Sequence, residues 1–193
     1  PVGNTPHQQR TPCDALLNPA NAALAGTRFS PADCEKKLPP EGSIYPPQVV
    51  DGRVPELGGA EMADEILRVR HERQLAPQPL GVGSALLTHA TGELRGNFSH
   101  VIHAIPPDYQ RASAAAPPWE AQLKAAFLAA FDEAGRARLG CIAAPLMGAG
   151  ARGAPSLAAA RVAALAVASW EAAGDPLADL EVRFGVQDDT IAD

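Results

Sequence analysis

Short apolar runs alternate with longer stretches whose apolar residues recur at helical spacing, and this alternation limits the chain more than any other property. Ala15 to Leu17, Leu80 to Leu87, Ser99 to Ile105, Leu139 to Pro145 and Leu180 to Val186 have the length and character of buried strands. Between them, three stretches read as helices. In Ala60 to Gln74, Met62, Ile66 and Leu67 fall at roughly helical spacing. Its acidic residues Glu61, Asp64 and Glu65 come early and Arg68, Arg70 and Arg73 late, the order that complements a helix dipole. In Trp119 to Ala134, Trp119, Leu123, Ala126, Phe127, Ala130 and Phe131 form one face, and Gly135 closes the helix. Pro155 opens an alanine-rich helix to about Ala173, at the position where proline suits a first turn. Strands and helices in alternation predict a layered α/β domain.

With 193 residues, 46% of them apolar, the chain suits one domain with a substantial core, and the expected organisation is a single domain over 1–193. Its one untidy segment is about 27–56, which carries Pro31, Pro39, Pro40, Pro46, Pro47 and Pro55 and reads as an irregular insertion. No apolar run is expected to reach the roughly eighteen residues that cross a bilayer, and no leader is visible, so no membrane insertion is predicted. Cys13, Cys34 and Cys141 are odd in number and far apart, which fits neither a disulfide framework nor a zinc site and predicts a reducing compartment. A net charge of −6 argues against RNA binding as the main role of the surface, yet it leaves room for an anionic small molecule held by backbone amides.

Three polar features interrupt the apolar pattern. Asn18-Pro19-Ala20-Asn21 stands at the carboxyl end of the first strand, where open α/β sheets place ligand chemistry, although the same residues suit an ordinary turn. Gly58-Gly59 precedes a helix and could expose its first N–H groups to a ligand, or simply turn the chain. Gly148 to Gly153, small throughout except for Arg152, lies between a buried strand and a helix. Successive N–H groups there could converge on a phosphate, or the loop could be only a tight connection. It lacks the Gly-Lys-Ser/Thr ending of a P-loop, and it comes too late for a dinucleotide fingerprint. His103, inside a strand, reads as a hydrogen-bonded core residue.

Taken together and in order, these features resemble the macrodomain family of ADP-ribose-binding α/β/α domains. Leu16-Leu17-Asn18-Pro19-Ala20-Asn21 matches its Asn-Ala-Ala-Asn landmark, and Val101-Ile102-His103-Ala104-Ile105-Pro106-Pro107 its Val-Ile-His-Ala-Val-Gly-Pro strand. Ala144-Pro145-Leu146-Met147-Gly148-Ala149-Gly150 matches its late glycine loop, and Gly83-Ser84-Ala85-Leu86-Leu87-Thr88 a Gly-x-Ala-x-x-Thr pattern. Within the family the chain looks viral, of the rubella-like kind carried in a nonstructural replicase polyprotein.

The resemblance implies a three-layer α/β/α fold with a central mixed sheet. It implies binding of ADP-ribose and hydrolysis of mono-ADP-ribose from protein Asp/Glu esters, without cofactor or metal, reversing host modification in the cytoplasm at replication complexes. The implied partners are ADP-ribose, mono-ADP-ribosylated proteins and other parts of the replicase. Asn21 is assigned to the distal ribose and the attacking water, and Asn18 to bracing the loop. Gly58, Gly59, Ala60 and Met62 are placed along the distal ribose, with Gly59 and Glu61 beside the reacting centre. Gly148, Ala149, Gly150, Ala151 and Arg152 are placed around the diphosphate, and Asn4 and Gln187, with Asp188 beside it, at the adenine. The family's Gly-Gly-Gly-Val is Gly59-Ala60-Glu61-Met62 here, and its late aromatic is Arg152. A non-catalytic ADP-ribose reader, or a protein or RNA interaction module of the replicase, is the alternative that these departures favour.

Overall fold

Side-chain alternation along the first strand, β1 (Ala15–Pro19), sorts the molecule into layers. Ala15 and Leu17 enter one apolar cluster, while Leu16 packs with a second on the opposite face. A strand covered on both faces belongs in the middle of a sheet, and β1 lies there. The computed structural model describes residues 12–26, 49–75, 78–109, 117–150, 152–174 and 179–185. Among them, β1, β2 (Ala85–His89), β3 (His100–Ala104), β4 (Cys141–Pro145) and β5 (Glu181–Gly185) form one mixed sheet in the order β2-β3-β1-β4-β5. β1 runs parallel to β3 and β4, β4 parallel to β5, and β2 antiparallel to β3.

Helix α1 (Val50–Glu72) covers one face through Val54, Met62, Ile66 and Val69. Helices α2 (Trp119–Arg136) and α3 (Ser156–Ala173) cover the other. There Leu123, Phe127, Phe131, Val162 and Ala166 close over Leu17, Ile102 and Ile142. The three-layer α/β/α arrangement is the one expected. Between the layers Glu133, almost fully buried on α2, accepts two hydrogen bonds from Arg73 at 2.7 and 2.8 Å and one from Arg136 at 2.7 Å.

Several sequence expectations need correction. Val50–Glu72 is two helical segments meeting at Gly59: the helix expected from Ala60 is there, and 50–56 before it is helical rather than irregular. Pro55 hid this: it removes the N–H that Asp51's carbonyl would accept, but the remaining bonds and the packing of Val54 hold the turn. The helix nonetheless breaks at Gly59, where φ 63° and ψ −164° are non-helical. Residues 80–84 do not join β2, because Gly83, at φ 86°, turns the chain and donates to the carbonyl of Ile105. Cys13 and Cys141, 128 residues apart, are joined as a disulfide against the expectation of unpaired thiols. Sequence spacing carries no information about neighbours across parallel strands: pairing of Asp14 N–H with the Cys141 carbonyl brings the two together. By length and mean composition alone α3 is apolar enough to cross a membrane, although Arg161 and Glu171 interrupt its apolar run. Alanine makes its composition apolar, while Ala159, Val162, Ala163 and Ala166 face the sheet.

Candidate functional site

The strand order fixes where a ligand can sit. From β1 the chain passes to β2 and then β3 on one side and afterwards to β4 on the other, so the carboxyl ends of β1, β3 and β4 flank the crevice where the winding reverses. Three loops leave that edge: Ala20 to Gly26, Ile105 to Tyr109, and Leu146 to Pro155.

Asn18, 1% exposed at the end of β1, points to the α1 face. Its Nδ2 donates to Asp51 Oδ1 at 3.1 Å and lies 3.3 Å from Nδ1 of His103, its cross-strand neighbour in β3. His103 Nε2 lies 3.1 Å from Thr88 Oγ1, which in turn donates to the Val101 carbonyl at 3.4 Å. A neutral imidazole satisfies this chain, with Nε2–H donating to Thr88 and Nδ1 accepting from Asn18. Burial enforces that state, lowering the His103 pKa to about 4. His103 is therefore the hydrogen-bonded core residue that the sequence predicts.

Asp51, in the first turn of α1, is 5% exposed. Both of its carboxylate oxygens meet the landmark asparagines, Oδ1 from Asn18 and Oδ2 from Asn21 Nδ2 at 3.4 Å. Asn21 also organises its own loop. Its Oδ1 accepts from the N–H groups of Ala23 and Ala25 at 3.1 and 3.3 Å, and its Nδ2 donates to the Gly26 carbonyl at 2.9 Å. Gly26, at φ 75°, rests directly on α1: a Cβ there would stand 2.5 Å from Pro55 Cγ and 3.0 Å from the Asp51 carbonyl. Sequence reasoning missed Asp51 because it sits inside the proline-rich segment. The available signal was Val49-Val50-Asp51, two apolar residues and an acid fit for a helix start.

The residues expected along the distal ribose are placed unevenly. Gly58 is buried, and its carbonyl accepts from Thr91 Oγ1 at 2.8 Å. Gly59 and Ala60 are exposed, and a Cβ on Gly59 would meet nothing within 4 Å. They line a groove of about 350 Å³ with Leu24, Ala25, Pro55 and Ile66, floored by the core side chain of Met62. The carboxylate of Glu61 pairs with Arg95 at 2.8 Å, both side chains well exposed.

On the β4 side, the late loop folds on itself. Gly148 accepts from Ala154 N–H and Gly150 from Gly153 N–H. Gly148, at φ 91°, packs on Trp119, which meets the ring of Tyr109 edge-on at 5.1 Å between centroids. Ala149 lies against the α2–α3 core. Arg152 ties this loop to both others: its carbonyl accepts from Tyr109 N–H at 3.0 Å, and its Nη2 donates to the Ala20 carbonyl at 3.1 Å. Asn18, Asn21, Asp51 and Arg152 thus converge on one sheet edge. Asn4, Ala151, Gln187 and Asp188 lie outside the described residues.

Residues 18–163 match the pattern of the Macro domain family, and the chain belongs to that family. By sequence it is similar to the non-structural polyprotein p200 of rubella virus: 38% identical over 81 residues to strain Therien, spanning 42% of this chain and 4% of the polyprotein. With strain BRD1 it shares 39% over 95 residues, 48% of this chain and again 4% of the polyprotein. Its fold matches the Oceanobacillus iheyensis macrodomain with ADP at a TM-score of 0.66 and 18% identity, over 91% of this chain and 77% of that one. It also matches the Trypanosoma brucei macrodomain in complex with ADP-ribose at 0.62 and 18%, over 93% and 60%. At that identity the structural likeness is one of fold.

Proposed function

We propose that the protein binds ADP-ribose and hydrolyses mono-ADP-ribose from modified carboxylate side chains, as a mono-ADP-ribosyl-protein hydrolase. The observation that carries the reading is the buried Asp51 carboxylate held between the two landmark asparagines at the switch point of the sheet. Family membership and the ADP-ribose named with the Trypanosoma brucei relative support the ligand. The distal ribose lies over Asn21 and Asp51, its far side toward Gly59 and Ala60, and the diphosphate lies along Gly148 to Gly150. Water attacks the ester at the distal ribose, its proton passes to the Asp51 carboxylate, and the target side chain leaves as a free carboxylate. No cofactor takes part; positioning and loop dipoles supply the rest. The likeness to the rubella polyprotein supports a role inside a viral replicase; removal of host ADP-ribosylation at replication complexes in the cytoplasm is part of the same proposal.

One observation favours a reader without turnover. Both ends of the Asn21 amide are already engaged, by Ala23, Ala25, Gly26 and Asp51, so it must exchange a partner to hold a water. Incubation with an auto-ADP-ribosylated protein decides between the two. Loss of label with the wild type but not with Asp51→Asn or Asn21→Ala is the expected result. Retained label together with measurable ADP-ribose binding leaves the reader, and no binding removes both readings.

A further inference from the structure

Helix α3 is apolar on both sides. Its composition is that of a core helix, yet only 22% of its residues are buried. Ala159, Val162, Ala163 and Ala166 face the sheet. On the outer side Leu157 and Leu165 are 58% and 60% exposed, and Ala164, Ala168 and Ala172 are exposed with them. A contiguous apolar face left in water marks a surface that meets another molecule. Two charges interrupt it, Arg161 and Glu171, both exposed. Leu157, Arg161, Ala164, Ala168 and Glu171 recur at steps of four and three, the spacing of a seam between two helices. The arginine and the glutamate stand about 15 Å apart along the helix, so they cannot pair within one α3. Among the described residues neither has another side-chain partner. Their placement suits a two-fold axis, because each lies five residues from Ala166. An antiparallel copy of α3, turned about an axis level with Ala166, sets the arginine of each copy opposite the glutamate of the other. The methyl groups of Ala164 and Ala168 then meet at the crossing and let the helices approach closely. Leu165, on the flank of the stripe and one residue from the axis, meets its own copy. A parallel pair would instead set arginine on arginine and glutamate on glutamate.

We infer that the outer face of α3 is a dimerisation surface. It packs antiparallel on the same face of a second copy of this chain, through Ala164, Ala168, Leu165 and two reciprocal Arg161–Glu171 pairs. The contact is self-complementary, so it closes at two copies. One helix pair about 27 Å long makes a small interface, so the association depends on concentration. The stripe shares no residue with the crevice at the carboxyl ends of β1, β3 and β4, and the pairing stands apart from the ADP-ribose reading.

The test is sedimentation velocity of the full chain from about 10 μM to about 1 mM, the range for a weak dimer. It compares the wild type, Arg161→Glu, Glu171→Arg, the two substitutions together, and Leu165→Glu. All three side chains are exposed, so the variants should melt like the wild type at the lowest concentration. In the expected result the wild type shows a reversible monomer–dimer equilibrium that loosens with added salt. Either charge reversal alone weakens it about two- to thirtyfold, the loss of two exposed ion pairs. The combined variant restores opposite charges across the axis and recovers wild-type association, and Leu165→Glu stays monomeric. A wild type that is monomeric throughout the range overturns the inference. So does a monomer that floats with phosphatidylcholine vesicles, which would make the face a lipid-binding one. A dimer that Arg161→Glu leaves unchanged or tightens, or that the combined variant fails to recover, overturns the antiparallel pairing. A dimer that survives Leu165→Glu lies on another surface and overturns it as well.

Discussion

Replacing Gly26 by alanine puts the link between backbone geometry and the site to a strict test. The residue has φ 75°, where a Cβ meets the following carbonyl and costs about 1–2 kcal/mol. The new Cβ would also stand 2.5 Å from Pro55 Cγ and 3.0 Å from the Asp51 carbonyl. Proline cannot rotate away and the other contact is backbone, so relief requires the loop to separate from α1. Overpacking of this kind costs about 1–3 kcal/mol, for a total of about 2–5 kcal/mol. Separation moves Asp51 away from Asn21, which donates to both Gly26 and Asp51. Urea denaturation followed by circular dichroism should show the lower midpoint, and the de-ADP-ribosylation assay should show activity falling further than the folded fraction. Gly59→Ala is the control for stability and for the position of Asp51, not for activity, because Gly59 lines the groove itself. Its φ 63° and ψ −164° disfavour alanine by about 1–3 kcal/mol, but nothing lies within 4 Å of the new Cβ, so Asp51 stays in place. A Gly26→Ala protein with wild-type stability and activity would refute the steric argument. Loss of stability with full specific activity would refute the coupling of this loop to Asp51.

Three further outcomes follow from the packing. Burial lowers the His103 pKa from 6.5 to about 4, so between those values the unfolded chain binds the extra proton and stability falls as the solution is acidified. The contribution is about 3 kcal/mol, and urea midpoints from pH 7 to pH 4.5 should fall less steeply for His103→Gln than for the wild type. The Cys13–Cys141 link closes a loop across 128 residues, so reduction with dithiothreitol should lower stability by about 2–5 kcal/mol, and Cys141→Ser should melt like the reduced wild type and not respond to the reagent. Glu133→Gln removes a buried charge from between Arg73 and Arg136, whose side chains are 38% and 68% exposed and can return to water. The expected cost is therefore about 1–3 kcal/mol, below that of breaking a fully buried pair, read as a shifted melting temperature with ADP-ribose affinity unchanged.

Periodicity along the chain determined the fold class. Runs such as Leu139 to Pro145 and the face Leu123-Phe127-Phe131 declare their elements because strand and helix spacing are local properties, set by residues a few positions apart. The order of Asn18 to Asn21, the middle strand and the Gly148 loop was legible for the same reason, and it carried the family resemblance. What the sequence could not decide was which distant residues share a sheet edge. Asp51 stood behind prolines in a segment with no readable period. Cys13 looked unpaired because its partner is 128 residues away. Arg152 could not be seen to reach the Ala20 carbonyl, 132 residues back along the chain. Each of these depends on the strand order β3-β1-β4, which places the ends of three separate segments side by side. That order comes from burying both faces of β1 at once, a property of the whole core that no single stretch of the sequence contains.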